Sequence, residues 1–364
     1  MNHQENLNLV GLLQENKRQI DRLILEFLPT SHGAEEIARL YSMMRDYPSR
    51  GGKGLRGTTC LLWCQLFGGN KEDALTTAAA LELFQNWILI HDDIEDNSDL
   101  RRGQPTLHKK TGIPLAINTG DALHGKMWEI LLRNSENLSF ESTLRILAEF
   151  SKMLNETTEG QQMELSWTAE KNWNITESDY LLMVTKKSAW YTCISPCRLG
   201  VVASYDRISK TGGRLGSISE LGNVLDKIIS FGTDLGIAFQ IIDDVLNLTA
   251  DQGKYGKEIL GDIFEGKRTL MLIHMLRSIG SSERSEIIRL LSRERSELTN
   301  RDAEMIFERM TGSGSIDYAR RLAQQHSKSA IDKFNSLVRA LRLEDSNVYT
   351  DCKSLIEYLT MRDY

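Results

Sequence analysis

The chain has 364 residues, room for one large domain or two ordinary ones. With 41% hydrophobic and 26% charged residues, it has the balance of a globular protein rather than of a disordered chain or a membrane bundle. A formal net charge of -6 offers nothing to attract nucleic acid or an anionic membrane, so any anionic ligand has to be met by local positive charge.

The amino-terminal stretch MNHQENLNLVGLLQENKRQ has no basic segment ahead of an apolar core, so no secretory leader is expected. Ile20, Leu23, Ile24, Phe27 and Leu28 then recur at the spacing of one buried helical stripe. A loop is expected from Pro48 to Gly57, where SRGGKGLRG sets Lys53 and Arg56 among glycines. Glycines let backbone amides approach phosphate oxygens, and basic side chains supply the charge. The loop lacks the GK[ST] ending of a Walker A motif.

Residues 74–90 are apolar nearly all round, as in a helix inside a bundle. They run straight into Asp92, Asp93 and Asp96. On a helix Asp92 and Asp96 project from one face, with Asp93 beside them. Clustered carboxylates repel each other and are costly to bury; a divalent cation relieves both problems. Carboxylate oxygens suit Mg2+, which keeps several waters and shares its sphere with substrate phosphates. Arg101, Arg102 and Gly103 follow, in a loop expected from Asp99 to Gly112.

Residues 177–204 and 232–249 read as further buried helices, the first carrying Lys186, Lys187 and Ser188. The second ends its apolar run in Asp243 and Asp244, with Asn247 one turn on and Asp251 another. Two such helices can face each other across a cavity and hold metals and a diphosphate. A loop from Asp251 to Gly266 brings Lys257 and, just beyond it, Lys267. From about Ser281 the chain is more polar, yet Ile316, Ala319, Leu322 and Ala323 share a face; this part reads as the periphery of the same domain.

No stretch alternates as a strand does. One all-α domain over 1–364 is expected, with residues 1–45 as its first helices. The apolar runs are far below a membrane span. Cys60 and Cys64 are four apart, as are Cys193 and Cys197, and Cys352 stands alone. That pattern suits packed, reduced thiols better than a disulfide framework or zinc knuckle, and makes the cytoplasm the expected compartment.

Four motifs in this order resemble the trans-isoprenyl diphosphate synthases, or polyprenyl synthetases. They are GGKGLRG, DDIED followed by LRRG, FQIIDDVLN, and GDIFEGKRT after a GK pair. The likeness runs from about Tyr47 to Leu272, and the helical tail ending near Arg362 is also family-like. It implies an isoprenoid synthase-like helical bundle around a deep central cavity. It also implies a Mg2+-dependent prenyltransferase that condenses isopentenyl diphosphate with an allylic diphosphate. Gly52, Lys53, Arg56, Gln85 and Arg102 would grip isopentenyl diphosphate. Asp92, Asp93 and Asp96, facing Asp243 and Asp244, would hold three Mg2+ ions, with Mn2+ as a substitute. Arg101, Lys187, Lys257 and Lys267 would hold the allylic diphosphate, and Ser188 and Gln240 would lie near the developing carbocation. Trp87, with the smaller Ile88 beside it, would floor the chain-length channel. That pattern resembles geranylgeranyl synthases, with a farnesyl product second.

The resemblance further implies a homodimer. Gly54 and Gly57 replace the Arg and Pro of the family's GGKRLRP, Gln85 stands where many relatives have His, and Ser188 replaces Thr. Asn247 replaces the third acid of the second motif and is not expected as a direct metal ligand. His91 reads as a helix residue satisfied by a neighbour. The alternative is a non-catalytic subunit of a heteromeric synthase, since some relatives keep the fold and lose the aspartates. Here both motifs retain their first two acids, which argues for activity. A terpene cyclase normally lacks the Lys53/Arg56 loop.

Overall fold

The computed structural model describes residues 3–211, 217–250, 259–346 and 348–360. It opens with helices α1 His3–Phe27, α2 Glu35–Ser49, α3 Leu55–Leu66 and α4 Lys71–Glu95. A short ladder, β1 Leu100–Arg101 and β2 Gln104–Pro105, leads into α5 Leu107–Thr111, α6 Ile113–Leu132 and α7 Phe140–Ala169. Helix α8 Glu177–Val184 continues into a π-helical segment, Thr185–Ile194, and then α9 Ser195–Thr211. Helix α10 Ile218–Thr249 is followed by α11 Gly261–Phe264, α12 Leu270–Ser278, α13 Ser281–Leu291, α14 Asn300–Gly312, α15 Ser315–Ala340 and α16 Tyr349–Thr360.

The all-α class is as expected, with local differences. The loop expected over 99–112 holds the antiparallel ladder, pairing Leu100 with Pro105 and Arg101 with Gln104, and also α5. Arg102 and Gly103, at φ 55° and 72°, make its tight two-residue turn. Two paired residues per strand leave no alternation to read. Helix α2 runs through Pro48 to Ser49. A proline in the last turn costs only one helical hydrogen bond, so that loop starts later than expected.

Capping boxes fix where two site-bearing helices begin. Thr176 and Asp179 exchange side-chain bonds with each other's backbone N–H at α8, as do Ser217 and Glu220 at α10. Beyond these starts the helices are held by packing. One core gathers Ile20 and Ile24 of α1, Leu61 of α3, Phe84 of α4, Phe150 of α7 and Phe231 of α10. A second lies around Tyr180 of α8, Ile241 of α10, Met271 and Met275 of α12 and Ile306 of α14. Helices α10 and α15 run through both, so the carboxyl-terminal part reaches deeper than its polar composition suggests: Ala330, Phe334 and Leu337 are buried in the first core. Asp234 of α10 ties the two helices by accepting bonds from His326, Ser329 and Lys333 at 2.8, 2.5 and 2.6 Å. Burial pushes its carboxyl up, but these bonds outweigh burial and hold it at about 2.

The five cysteines are free thiols, all buried. Among the described residues, no helix is long and apolar enough to cross a membrane.

The π-helical segment is gripped through glycines. A Cβ on Gly236 of α10 would sit 2.3 Å from that of Ala189, and one on Gly232 would sit 2.7 Å from Ile194 Cγ1. A Cβ on Gly160 of α7 would meet the Lys187 nitrogen at 2.2 Å. These distances leave no room for even a methyl group. Gly236→Ala is therefore expected to lower stability in urea unfolding by about 1–3 kcal/mol through overpacking. Gly222→Ala, on the same helix with nothing within 4 Å of the new Cβ, should be neutral or slightly stabilising. Equal effects of the two changes would contradict this packing account.

Candidate active site

Helices α4 and α10 end their apolar runs on opposite sides of a cavity of about 220 Å³. Asp92 and Glu95 line it from α4, Asp243 and Asp244 from α10, Glu164 from α7, and Asp262 from α11. Against these six carboxylates stand four basic side chains: Arg101, Lys187, Lys267 and Arg268. Lys187 lies 3.5 Å from Asp92 Oδ1 and pairs closely with Glu164. Lys267 lies 2.7 Å from both Asp96 and Glu265 and 3.9 Å from Asp262. Burial alone would discharge these lysines, but the carboxylates around them hold both firmly protonated.

The acids are strained in the opposite sense. Burial pushes the Asp96 carboxyl upward, and Asp92 and Glu265 add to the push; Lys267, shared among several acids, only partly offsets it. Burial likewise raises Asp244, to about 7, although Tyr180 and Gln240 each donate to it at 2.7 Å. Gln240 also accepts from Ser188 Oγ at 2.8 Å, so the residues expected near the carbocation form one chain with Asp244.

Two aspartates and an asparagine of the two motifs therefore serve the cavity differently from a simple row of ligands. Asp96 lies just behind the wall, in the grip of Lys267. Asp93, expected to take part in metal binding, has no exposed surface and faces away from the cavity. It accepts from Arg101 Nε at 2.8 Å and from the Tyr47 hydroxyl. Its role here is to anchor Arg101, whose guanidinium then reaches Asp92 at 3.4 Å. Asn247 Oδ1 accepts from the Asp262 N–H at 3.1 Å, which helps fix the start of α11.

A second cavity, about 310 Å³, adjoins the first and shares Leu89, Arg101, Tyr191, Gln240 and Asp243 with it. Its charge balance is reversed: Lys17, Lys53, Arg56, Arg101 and Arg102 against Asp21, Glu82 and Asp243. Gly52, Gln85 and Gly54 complete the wall. Gly52, at φ 137°, lets the Arg102 guanidinium pack close against the backbone, where an added Cβ would lie 3.0 Å from Nη2. Arg56 lies 4.2 Å over the Tyr191 ring and donates to Thr192 Oγ1 at 2.8 Å. Its Nε is buried with no hydrogen-bond partner, a donor suited to an incoming anion. Lys53 lies 5.4 Å over the Tyr358 ring of α16.

The expected residues Gly52, Lys53, Arg56, Gln85, Arg101 and Arg102 thus meet around one cavity, and Asp92, Lys187, Ser188, Gln240, Asp243, Asp244 and Lys267 around the other. Lys257, with Asp251 and Arg362, lies outside the described residues. Trp87 and Ile88 line the first cavity below Asp92. The indole stacks on His124 of α6, with ring centroids 4.1 Å apart. His91 Nε2 lies 3.4 Å from the Ile117 carbonyl, satisfied by a neighbour as expected. Sequence reasoning missed Glu164, Tyr47, Tyr180, Tyr191, Glu265 and Asp262. Gly160, a helix-interior glycine one turn before Glu164, was the available hint of a close approach there.

These side chains fit a magnesium–diphosphate group. The donors are hard carboxylate oxygens, and the two lysine ammoniums lie among them as stand-in cations. Among the described residues, no three acid, His or Cys side chains already form a metal cage. An ion bound here would draw its other ligands from water and phosphate.

Helical walls, an acidic bed and an adjoining basic cavity make two neighbouring sites whose charge suits phosphorylated ligands. The polyprenyl synthetase family model matches residues 37–310. A geranylgeranyl diphosphate synthase from Sulfolobus acidocaldarius is 33% identical over 307 residues, 84% of this chain and 87% of that protein. A geranylfarnesyl diphosphate synthase from Aeropyrum pernix is 31% identical over 316 residues, 86% of this chain and 91% of that protein. The crystal structure of geranylgeranyl pyrophosphate synthetase from Pyrococcus horikoshii Ot3 matches with a TM-score of 0.81 at 29% identity, covering 98% of this chain and 99% of that one. The chain belongs to the polyprenyl synthetase family.

The raised carboxyl of Asp244 has a consequence for pH. The folded state keeps a proton that the unfolded chain gives up near pH 4, so ionisation disfavours the folded state as pH climbs to about 7. Raising pH from about 5 to about 8 should lower the Tm of metal-free protein, and Asp244→Asn should flatten that slope. Parallel slopes for parent and variant would contradict it.

Proposed function

We propose that this chain is a Mg2+-dependent prenyltransferase that adds isopentenyl diphosphate to an allylic diphosphate, with geranylgeranyl diphosphate as its main product. The observation that carries the reading is the pair of adjoining cavities with opposite charge balance. The acidic one suits a diphosphate that arrives with cations. The basic one suits a diphosphate held by side chains alone.

Magnesium bound at the carboxylates would supply Lewis-acid stabilisation of the departing diphosphate. Asp92, Asp96, Asp243 and Asp244 would hold it, and Arg101, Lys187 and Lys267 would take up charge on the leaving oxygens. Lys53, Arg56 and Arg102 would hold isopentenyl diphosphate so that its double bond points through the shared wall toward the allylic carbon. The Gln240 amide and the Ser188 hydroxyl present oxygen dipoles near the cation that forms when the carbon–oxygen bond breaks. Attack by the double bond forms the new carbon–carbon bond, and the released diphosphate takes the proton that is then lost.

Product length follows from the floor. Trp87 lines the acidic cavity from α4 and stacks on His124, with the smaller Ile88 beside it, which suits the indole to serve as the floor. The resemblance to the family ties one large ring here, rather than two, to twenty carbons over fifteen. Both acid pairs are intact, and Lys187 and Lys267 hold Asp92 and Asp96 of the first, which favours an active enzyme over a non-catalytic subunit. Exposed Ile113, Leu115 and Ile117 on α6 support a homodimer, and the free buried thiols support a cytoplasmic setting.

The test is incubation with isopentenyl diphosphate, individual allylic primers and Mg2+, followed by product mass. A twenty-carbon diphosphate is expected, with none when Mg2+ is chelated. Trp87→Ala should shift the product to longer chains. No elongation from any primer would overturn the reading, and an unchanged product from the variant would remove Trp87 as the floor.

A further inference from the structure

We infer that Lys17, on the amino-terminal helix α1, is a direct ligand of the diphosphate in the basic cavity, supplying a cation from outside the loop. The inference rests on the proposed function only in naming that diphosphate as isopentenyl diphosphate.

Helix α1 is mainly a packing helix, with Leu9, Leu13, Ile20 and Ile24 buried in the first core. Lys17 is different: it reaches the wall of the basic cavity beside Lys53, Arg56 and Arg102. What lets it do so is Gly54, the residue just before α3, at φ 60°. A Cβ on Gly54 would lie 3.1 Å from Lys17 Cβ and 3.2 Å from its Cγ. A side chain at position 54 and the stem of Lys17 therefore compete for one space. The family loop pattern places arginine at that position, whereas this chain leaves it bare and fills the space from α1.

Lys17 is also available to a ligand. Its partner in this structure is Asp21, one turn along the same helix, with the two side chains 20% and 32% exposed. A one-turn ion pair open to solvent is weak, whereas an ammonium–phosphate bond inside a cavity is a strong charge-assisted one. An entering diphosphate thus draws the ammonium away from Asp21 without dismantling the core. Asp21, itself on the cavity wall, repels the same anion. Removing its charge should help binding rather than harm it.

The test is steady-state kinetics with each substrate varied separately. Lys17→Met should raise KM for isopentenyl diphosphate on the order of tenfold, the worth of one charge-assisted bond. KM for the allylic substrate should not follow, and Lys17→Arg should restore the parent value. Gly54→Ala should also raise KM for isopentenyl diphosphate, and should add little in the Lys17→Met background, because both changes act on one contact. Asp21→Asn should leave that KM equal or lower. An unchanged KM in Lys17→Met, or an equal rise for both substrates, would overturn the inference. If the parent makes no prenyl product, the function reading has failed on its own. Calorimetric titration of Mg2+-free parent and Lys17→Met with inorganic pyrophosphate then decides the matter: weaker binding by the variant supports the ligand role, and equal binding refutes it.

Discussion

The structure is organised around a repulsion. Helix α4 ends with Asp92 and Asp96 near its carboxyl terminus, where the helix dipole is also negative, and α10 brings Asp243 and Asp244 to the far side of the same cavity. Burial makes this worse, as the raised carboxyls of Asp96 and Asp244 show. Apolar packing of each helix against its other neighbours keeps the acids together, and positive charge must then be brought to them. In this structure Lys187, Lys267 and Arg101 bring it. In the proposed function, cations and an anion that bridges them would relieve the repulsion that remains.

The π-helical segment 185–194 links the two cavities. Its wider turn redirects a single stretch of chain, so that Lys187 and Ser188 serve the acidic cavity, Thr192 the basic one and Tyr191 both. Such a turn is costly to hold. Gly160, Gly232 and Gly236 hold it by bringing two neighbouring helices against its backbone and its smallest side chains. Close packing and reactive geometry therefore depend on the same three glycines.

Much of this was readable from the chain. Apolar runs that end in paired acids are informative because burial and charge oppose each other, and both runs lead to one cavity. The loop around Lys53 and Arg56 was recognisable from glycines beside cations. What was hidden depends on direction rather than composition. Asp93 is adjacent to Asp92 in sequence, yet helical rotation turns it to Tyr47 and Arg101. Glu164 looks like one more polar position on α7 until Lys187 is placed against it. Tyr180 and Tyr191 sit among apolar neighbours as ordinary core residues do. The π-helical segment has no propensity signal, since its residues suit an α-helix equally well. Only the glycines facing it, on other helices, betray it.

The central claim is that the facing carboxylates require cations and a diphosphate together. It is tested most directly by the thermal unfolding of the parent protein with Mg2+ alone, inorganic pyrophosphate alone, and both. The account predicts a rise in Tm with both that is well above the one pyrophosphate alone gives by occupying the basic cavity, and that this excess is abolished in Asp92→Asn and Asp243→Asn. A rise that is the same without Mg2+, or that survives both substitutions, would contradict it.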